Sequence, residues 1–135
     1  MSLTHRASLL VVCSALPLVA LSCGGKKADQ DPETARRREE LQQISAMYEA
    51  YAKAHEGEPP KQLSDLATRE HEQIYPLGFR VLREGSYVVV WGASGKDSGT
   101  VLAYEKDAPA KGGFVLTADG NVQKLTADEL NSKLK

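Results

Sequence analysis

The apolar residues of this chain change their period part-way along, and that change restricts the fold more than any other feature. Leu41, Ile44, Tyr48, Tyr51 and His55 recur at alternating steps of three and four. That spacing puts them on one face of an α-helix, since such a helix has about 3.6 residues per turn. Met47 and Ala54 widen the stripe. Beyond Gly78 the pattern gives way to short runs rich in β-branched and aromatic residues, which is strand chemistry. A helical part followed by a stranded part predicts an α+β domain.

The boundaries carry their own signals. Asp31-Pro32-Glu33 is a helix start: Asp accepts from free amides, Pro suits the first turn, and Glu favours the positive helix end. The helix is expected from about Pro32 to His55, stopped by Gly57-Glu58-Pro59-Pro60. Arg36-Arg37-Arg38-Glu39-Glu40 reads as a solvated, salt-bridged first turn rather than a basic patch. Leu63 and Leu66 suggest a short helical turn, and Ile74-Tyr75 precede a stop at Pro76. Strands are expected at 79–83, 86–91 and 100–105, with a tight turn at Glu84-Gly85 and loops at 93–99 and 106–113. A closing hairpin pairs 114–117 with 122–125 across Ala118-Asp119-Gly120-Asn121. Thr126-Ala127-Asp128-Glu129 is a capping box opening a short C-terminal helix with Leu130 and Leu134. Short connections make neighbouring strands antiparallel. The expected domain is thus a long N-terminal helix packed on one face of a four- to five-stranded antiparallel sheet.

Ahead of this domain, Arg6 precedes a nearly unbroken apolar run from Ala7 to Leu21. A spanning helix needs roughly 20 apolar residues for a hydrocarbon core about 30 Å thick. This run is shorter and contains Pro17, which matches a signal peptide. Its end, Ala20-Leu21-Ser22-Cys23, resembles a bacterial lipoprotein lipobox, although Ala20 stands where Leu is usual and Leu21 where a small residue is usual. The resemblance implies cleavage before Cys23 and a thioether on its sulfur carrying acyl chains such as palmitate. A secreted protein cut near Ser22 and an uncleaved anchor helix are the competing readings. The organisation is then 1–22 signal peptide, 23–31 flexible tether and 32–135 domain. The tether Gly24 to Asp31 is small and polar, and its eight residues reach roughly 25 Å when extended. Gly24 after the cysteine, where Asp commonly retains lipoproteins at the inner membrane, favours the outer membrane of a cell that has one.

All 18 acidic residues and all basic residues but Arg6 lie beyond the leader, so the domain is close to neutral. That balance argues against nucleic acid as a partner, which requires clustered positive charge. Residues 23–135 are one domain's worth of chain. Cys13 falls in the leader, so no internal disulfide is available after processing.

The order of elements is similar to pilin-like proteins, in particular type II secretion pseudopilins. Arg38, Leu41, Ile44 and Tyr51 on the helix carry the likeness. So does the step Gly57-x-Pro59-Pro60-x-x-Leu63-x-x-Leu66. The ending Ala103-Tyr104-Glu105, Gly112-Gly113, Val115-Leu116-x-Ala118-Asp119-Gly120-x-Val122 resembles a large set of bacterial prepilin-like proteins. Two histidines of that set are replaced here by Pro109 and Asn121. The apolar stem of true pilins is absent too. The resemblance therefore implies the soluble pilin-like domain carried on a lipid.

Residues bearing chemistry are few. Gly92 to Ser98 holds Gly95-Lys96, but a P-loop would require Gly at Val90 and Ser or Thr at Asp97. Asp97, Asp107, Asp119 and Asn121 are loop oxygen donors, and Asp97, Asp119 and Asn121 are the calcium candidates, by likeness to pseudopilins that bind calcium in a comparable loop. Asp119-Gly120 equally suits a hairpin turn. His5, His55 and His71 show no metal spacing, and His55 reads as a helix-end residue facing free carbonyls. Tyr87 and Trp91 alternate on one strand face, joined by Tyr104, as core or as a binding surface. No catalytic residue and no cofactor is assigned. The expectation is a non-enzymatic, lipid-anchored envelope protein, facing the periplasm or exterior. It would serve interaction or assembly with envelope protein partners beside a secretion or pilus system. The alternative is a periplasmic enzyme or accessory subunit.

Overall fold

A computed structural model of the chain describes residues 31–94 and 97–135. The segments expected as signal peptide and tether, with Cys23 and up to Gln30, lie outside the described residues, as does the Gly95-Lys96 pair. Helix α1 runs Pro32–Ala54. Asp31 caps it: its Oδ2 accepts from the Thr34 N–H at 3.2 Å, and Pro32 occupies the first turn, where a missing N–H costs nothing. The helix ends as the Gly57 N–H turns back to Ala52 O at 2.8 Å, with Glu56 and Gly57 both at positive φ. Leu41, Ile44 and Met47 are fully buried and Tyr48 nearly so.

Three short helices follow: α2 Leu63–Leu66, α3 Arg69–Ile74 and α4 Pro76–Glu84. The strand expected at 79–83 is therefore the second half of α4. Pro76 is not a stop but a first-turn residue, and Gly85 at φ 68° closes the helix in the left-handed conformation. Phe79 and Leu82, three apart, are both buried, which is helical spacing. Gln43 of α1 fastens the start of α4, its Oε1 accepting from the Leu77 N–H at 2.9 Å and the Gly78 N–H at 3.0 Å. Two of the four amides that a helix start leaves unpaired are satisfied in this way.

The sheet is a four-stranded antiparallel meander in the order β1 (Tyr87–Val89), β2 (Val101–Glu105), β3 (Gly113–Thr117), β4 (Val122–Leu125). Strand β1 is shorter than the expected 86–91. The chain turns at Trp91, and the Gly92 N–H leaves the sheet to donate to Pro60 O at 2.9 Å. A register shift between Val101 and Ala103 marks a bulge. It lets the consecutive Leu102 and Ala103 both join the cluster under α1.

That cluster unites α1, Leu66, α4 and one face of the sheet. The opposite face is covered as well. Helix α5 (Ala108–Lys111), inside the stretch expected as a loop, and helix α6 (Ala127–Lys133) close over Val101 and Val115, with Ala108 and Leu130 fully buried between. Asn131 Nδ2 donates to Pro109 O at 2.9 Å and ties α6 to α5. Thr126 and Glu129 form the expected capping box. Every residue of β3 is buried, as befits a central strand covered on both sides.

Candidate functional site

The most built polar feature lies where α1, α4 and the β1–β2 end of the sheet meet. Glu40, immediately before the apolar stripe of α1, is only 3% exposed. A buried carboxylate is costly unless partnered. Its Oε2 accepts from the Tyr87 O–H at 2.9 Å, and its Oε1 faces Arg36 Nε at 3.3 Å and Arg80 Nη2 at 3.9 Å. One turn earlier on the helix, Arg37 donates to Glu105 of β2 and to Glu33. Glu105 Oε2 also accepts from the Phe114 N–H at 2.8 Å. These bonds hold the Arg37 guanidinium above its ordinary range, the Glu33 hydrogen bond contributing most. Burial, followed by the hydrogen bond to Glu40, pushes the Tyr87 hydroxyl up.

Above this network opens a cleft of about 580 Å³, whose remaining walls include Glu84, Lys106, Asp107 and Lys111. Arg36 and Arg80 reach it with side chains 61% and 52% exposed. The arrangement combines a rigid buried carboxylate with cationic groups that it orients toward solvent. Guanidinium groups so placed can receive an oxyanion.

The expectation for Arg36–Glu40 is corrected here. The segment is not a solvated turn throughout, because Glu40 is buried and Arg37 is spent on Glu105. The signal was present in the spacing. Arg37 and Glu40 continue the stripe of Leu41 and Ile44 by steps of four.

The calcium candidates lie in two loops at the other end of the sheet, Asp97 beside Lys133 and Leu134, and the Asp119–Asn121 turn beside Ser45 of α1. The Ala118 N–H donates to Thr100 O at 2.8 Å, which joins the end of the β1–β2 loop to the start of the β3–β4 turn. Asp107 sits at the opposite end, lining the cleft. The Asp119 carboxylate serves its own turn: Oδ1 accepts from Thr117 Oγ1 at 2.5 Å and from the Asn121 N–H at 3.3 Å. The bond from Thr117 chiefly lowers its pKa. Among the described residues no three His, Cys, Asp or Glu side chains are grouped to hold a metal ion.

The aromatic face does not form. Tyr87 is buried on Glu40, Trp91 lies past the end of β1 and is 37% exposed, and Tyr104, opposite Val88, packs in the cluster under α5 and α6. His55 Nδ1 lies 2.8 Å from Tyr51 O, its ring stacked on Tyr51. His71 is buried and donates from Nδ1 to Leu66 O at 2.7 Å, which joins α3 to α2. Pro109 lies in α5. Among the described residues no helix is long and apolar enough to cross a membrane. Comparison with protein-family models, with curated proteins and with solved structures finds no match.

Proposed function

We propose that this chain is a lipid-anchored protein of the cell envelope whose pilin-like α+β domain acts as a non-enzymatic interaction or assembly module beside a secretion or pilus system. The observation that carries the reading is Cys23, placed after a signal-length apolar leader and before a polar tether. Further support comes from the order of the domain, a helix followed by an antiparallel meander, and from an open, charged cleft fit to receive another molecule. Acyl chains on one sulfur and an extended tether would hold that domain within roughly 25 Å of a bilayer.

The test is Cys23→Ala together with mass spectrometry of the native product. The variant should leave the membrane fraction, and the native N-terminus should be an acylated Cys23. An intact Met1 or a free thiol at Cys23 would overturn the lipid anchor. Cross-linking in intact cells should recover secretion or pilus components. Recovery of this chain alone would overturn the assembly role.

A further inference from the structure

The cleft over Glu40 is built asymmetrically, and its occupant follows from that asymmetry. Its buried carboxylate, Glu40, and its part-buried one, Glu105, are already engaged. Glu40 holds the Tyr87 hydroxyl, and Glu105 holds Arg37 and the Phe114 amide. The arginines above Glu40 are not engaged to the same degree. Among the described residues Arg36 and Arg80 make ion pairs, at 3.3 Å and 3.9 Å to Glu40 and 3.9 Å from Arg80 to Glu84, but no hydrogen bond. Each guanidinium carries five N–H donors in a planar fork that matches a carboxylate. Two forks from two helices thus converge on one side of the cleft, steadied from beneath by a carboxylate that cannot move away.

Charge decides between oxyanions. Five basic and four acidic side chains line the cleft, leaving one net positive charge. A singly charged carboxylate neutralises it. A doubly charged phosphate would overshoot and meet Glu40 and Glu105 at close range. The cleft is also wide enough, at about 580 Å³, for a short stretch of chain around the charged group.

We propose that this cleft binds the carboxylate of an acidic peptide segment of a partner protein, gripped between Arg36 and Arg80. The proposal rests on the interaction-module reading for the protein nature of the partner, but the carboxylate site itself is independent of the lipid. It is tested on the full-length protein in zwitterionic detergent by NMR titration with acetyl-Ala-Glu-Ala-amide. Acetyl-Ala-Gln-Ala-amide and inorganic phosphate serve as the other two probes. The glutamate peptide should bind saturably at about millimolar affinity and shift the amide signals of Tyr87 and Lys106. Arg36→Gln and Arg80→Gln should each weaken it at least about tenfold, whereas Lys133→Gln, on α6, should not. Equal binding of the glutamine peptide, tighter binding of phosphate, or unchanged binding by both arginine variants would overturn the assignment. Should Arg80→Gln unfold the chain, the contrast between the two peptides still decides. Lost peptide binding with an acylated Cys23 rejects the cleft alone; intact peptide binding with an unmodified Cys23 rejects the anchor alone.

Discussion

A methyl group at Gly78 would lie 2.9 Å from Gln43 Cβ and 3.1 Å from the Gln43 carbonyl carbon and the Ile44 nitrogen. Alanine is the better helix former by about 1 kcal/mol, which taken alone favours Gly78→Ala. Overpacking against a fixed backbone costs about 1–3 kcal/mol and outweighs it. Gly78→Ala should therefore destabilise the domain by up to about 2 kcal/mol in a urea titration, and a stabilised variant would show that α1 and α4 shift apart freely. Two tyrosines set the alkaline limit. Burial pushes the Tyr48 hydroxyl, which donates to Val90 O at 3.2 Å, up to about 12, and Tyr87 is raised by burial and Glu40. The unfolded chain titrates both near 10. A raised folded pKa means that their stabilisation is complete below about pH 10 and is lost as pH rises above it. The unfolding free energy should thus fall between about pH 10 and 12, by at most about 1.4 kcal/mol per pH unit for each group. The paired substitution Tyr48→Phe with Tyr87→Phe should flatten that fall. An identical slope in the variant would assign it to other groups.

At the scale of elements, the start of α4 depends on a side chain from another helix. Gln43 Oε1 replaces a local cap for Leu77 and Gly78, and Tyr75, just ahead of the helix, supplies no side-chain cap. Gln43→Ala should cost about 1–2 kcal/mol. It should also speed hydrogen exchange at the Leu77 and Gly78 amides more than at Leu82. Uniform acceleration along α4 would mean that the loss is general rather than at the cap. The capping box of α6 differs in kind, because Thr126 and Glu129 are close in sequence and satisfy each other locally. Such a device is readable from four residues, whereas the Gln43 cap joins positions 34 apart.

For the whole molecule, the sheet between two helical layers is the organising fact. The larger cluster lies under α1 and α4, the smaller under α5 and α6. Leu130 is the only α6 side chain in the smaller cluster and is fully buried. Leu130→Ala should cost about 2–5 kcal/mol by chemical denaturation, as expected when a large buried side chain leaves a cavity. A loss below about 1 kcal/mol would mean that the second layer is loosely held and that α1 and α4 carry the fold. The charged network crosses this architecture, since Glu40–Tyr87 joins α1 to β1 and Arg37–Glu105 joins α1 to β2. Cleft and fold therefore share the same residues, and the cleft forms only when the layers are assembled.

Local chemistry was legible in the sequence alone. The cap at Asp31, the hairpin around Asp119-Gly120 and the box at Thr126–Glu129 rest on residues within a turn or two of one another, and the α+β class on the apolar period of each segment. Their free energy is decided by neighbours in the chain. What lay beyond that reach was settled by packing. Phe79–Arg83 has apolar residues compatible with either period, and contact with α1 through Gly78 and Gln43 makes it helical. Residues 106–113 look like a loop until α6 returns to cover Ala108 and Val115. The spacing puts Glu40 on the apolar stripe, but only Tyr87, 47 positions later, supplies the donor that a buried carboxylate requires. Sequence determines what each segment prefers, because propensity and capping act over a few residues. Which preference prevails, and which charges are buried, depends on surfaces and partners that exist only once distant segments meet.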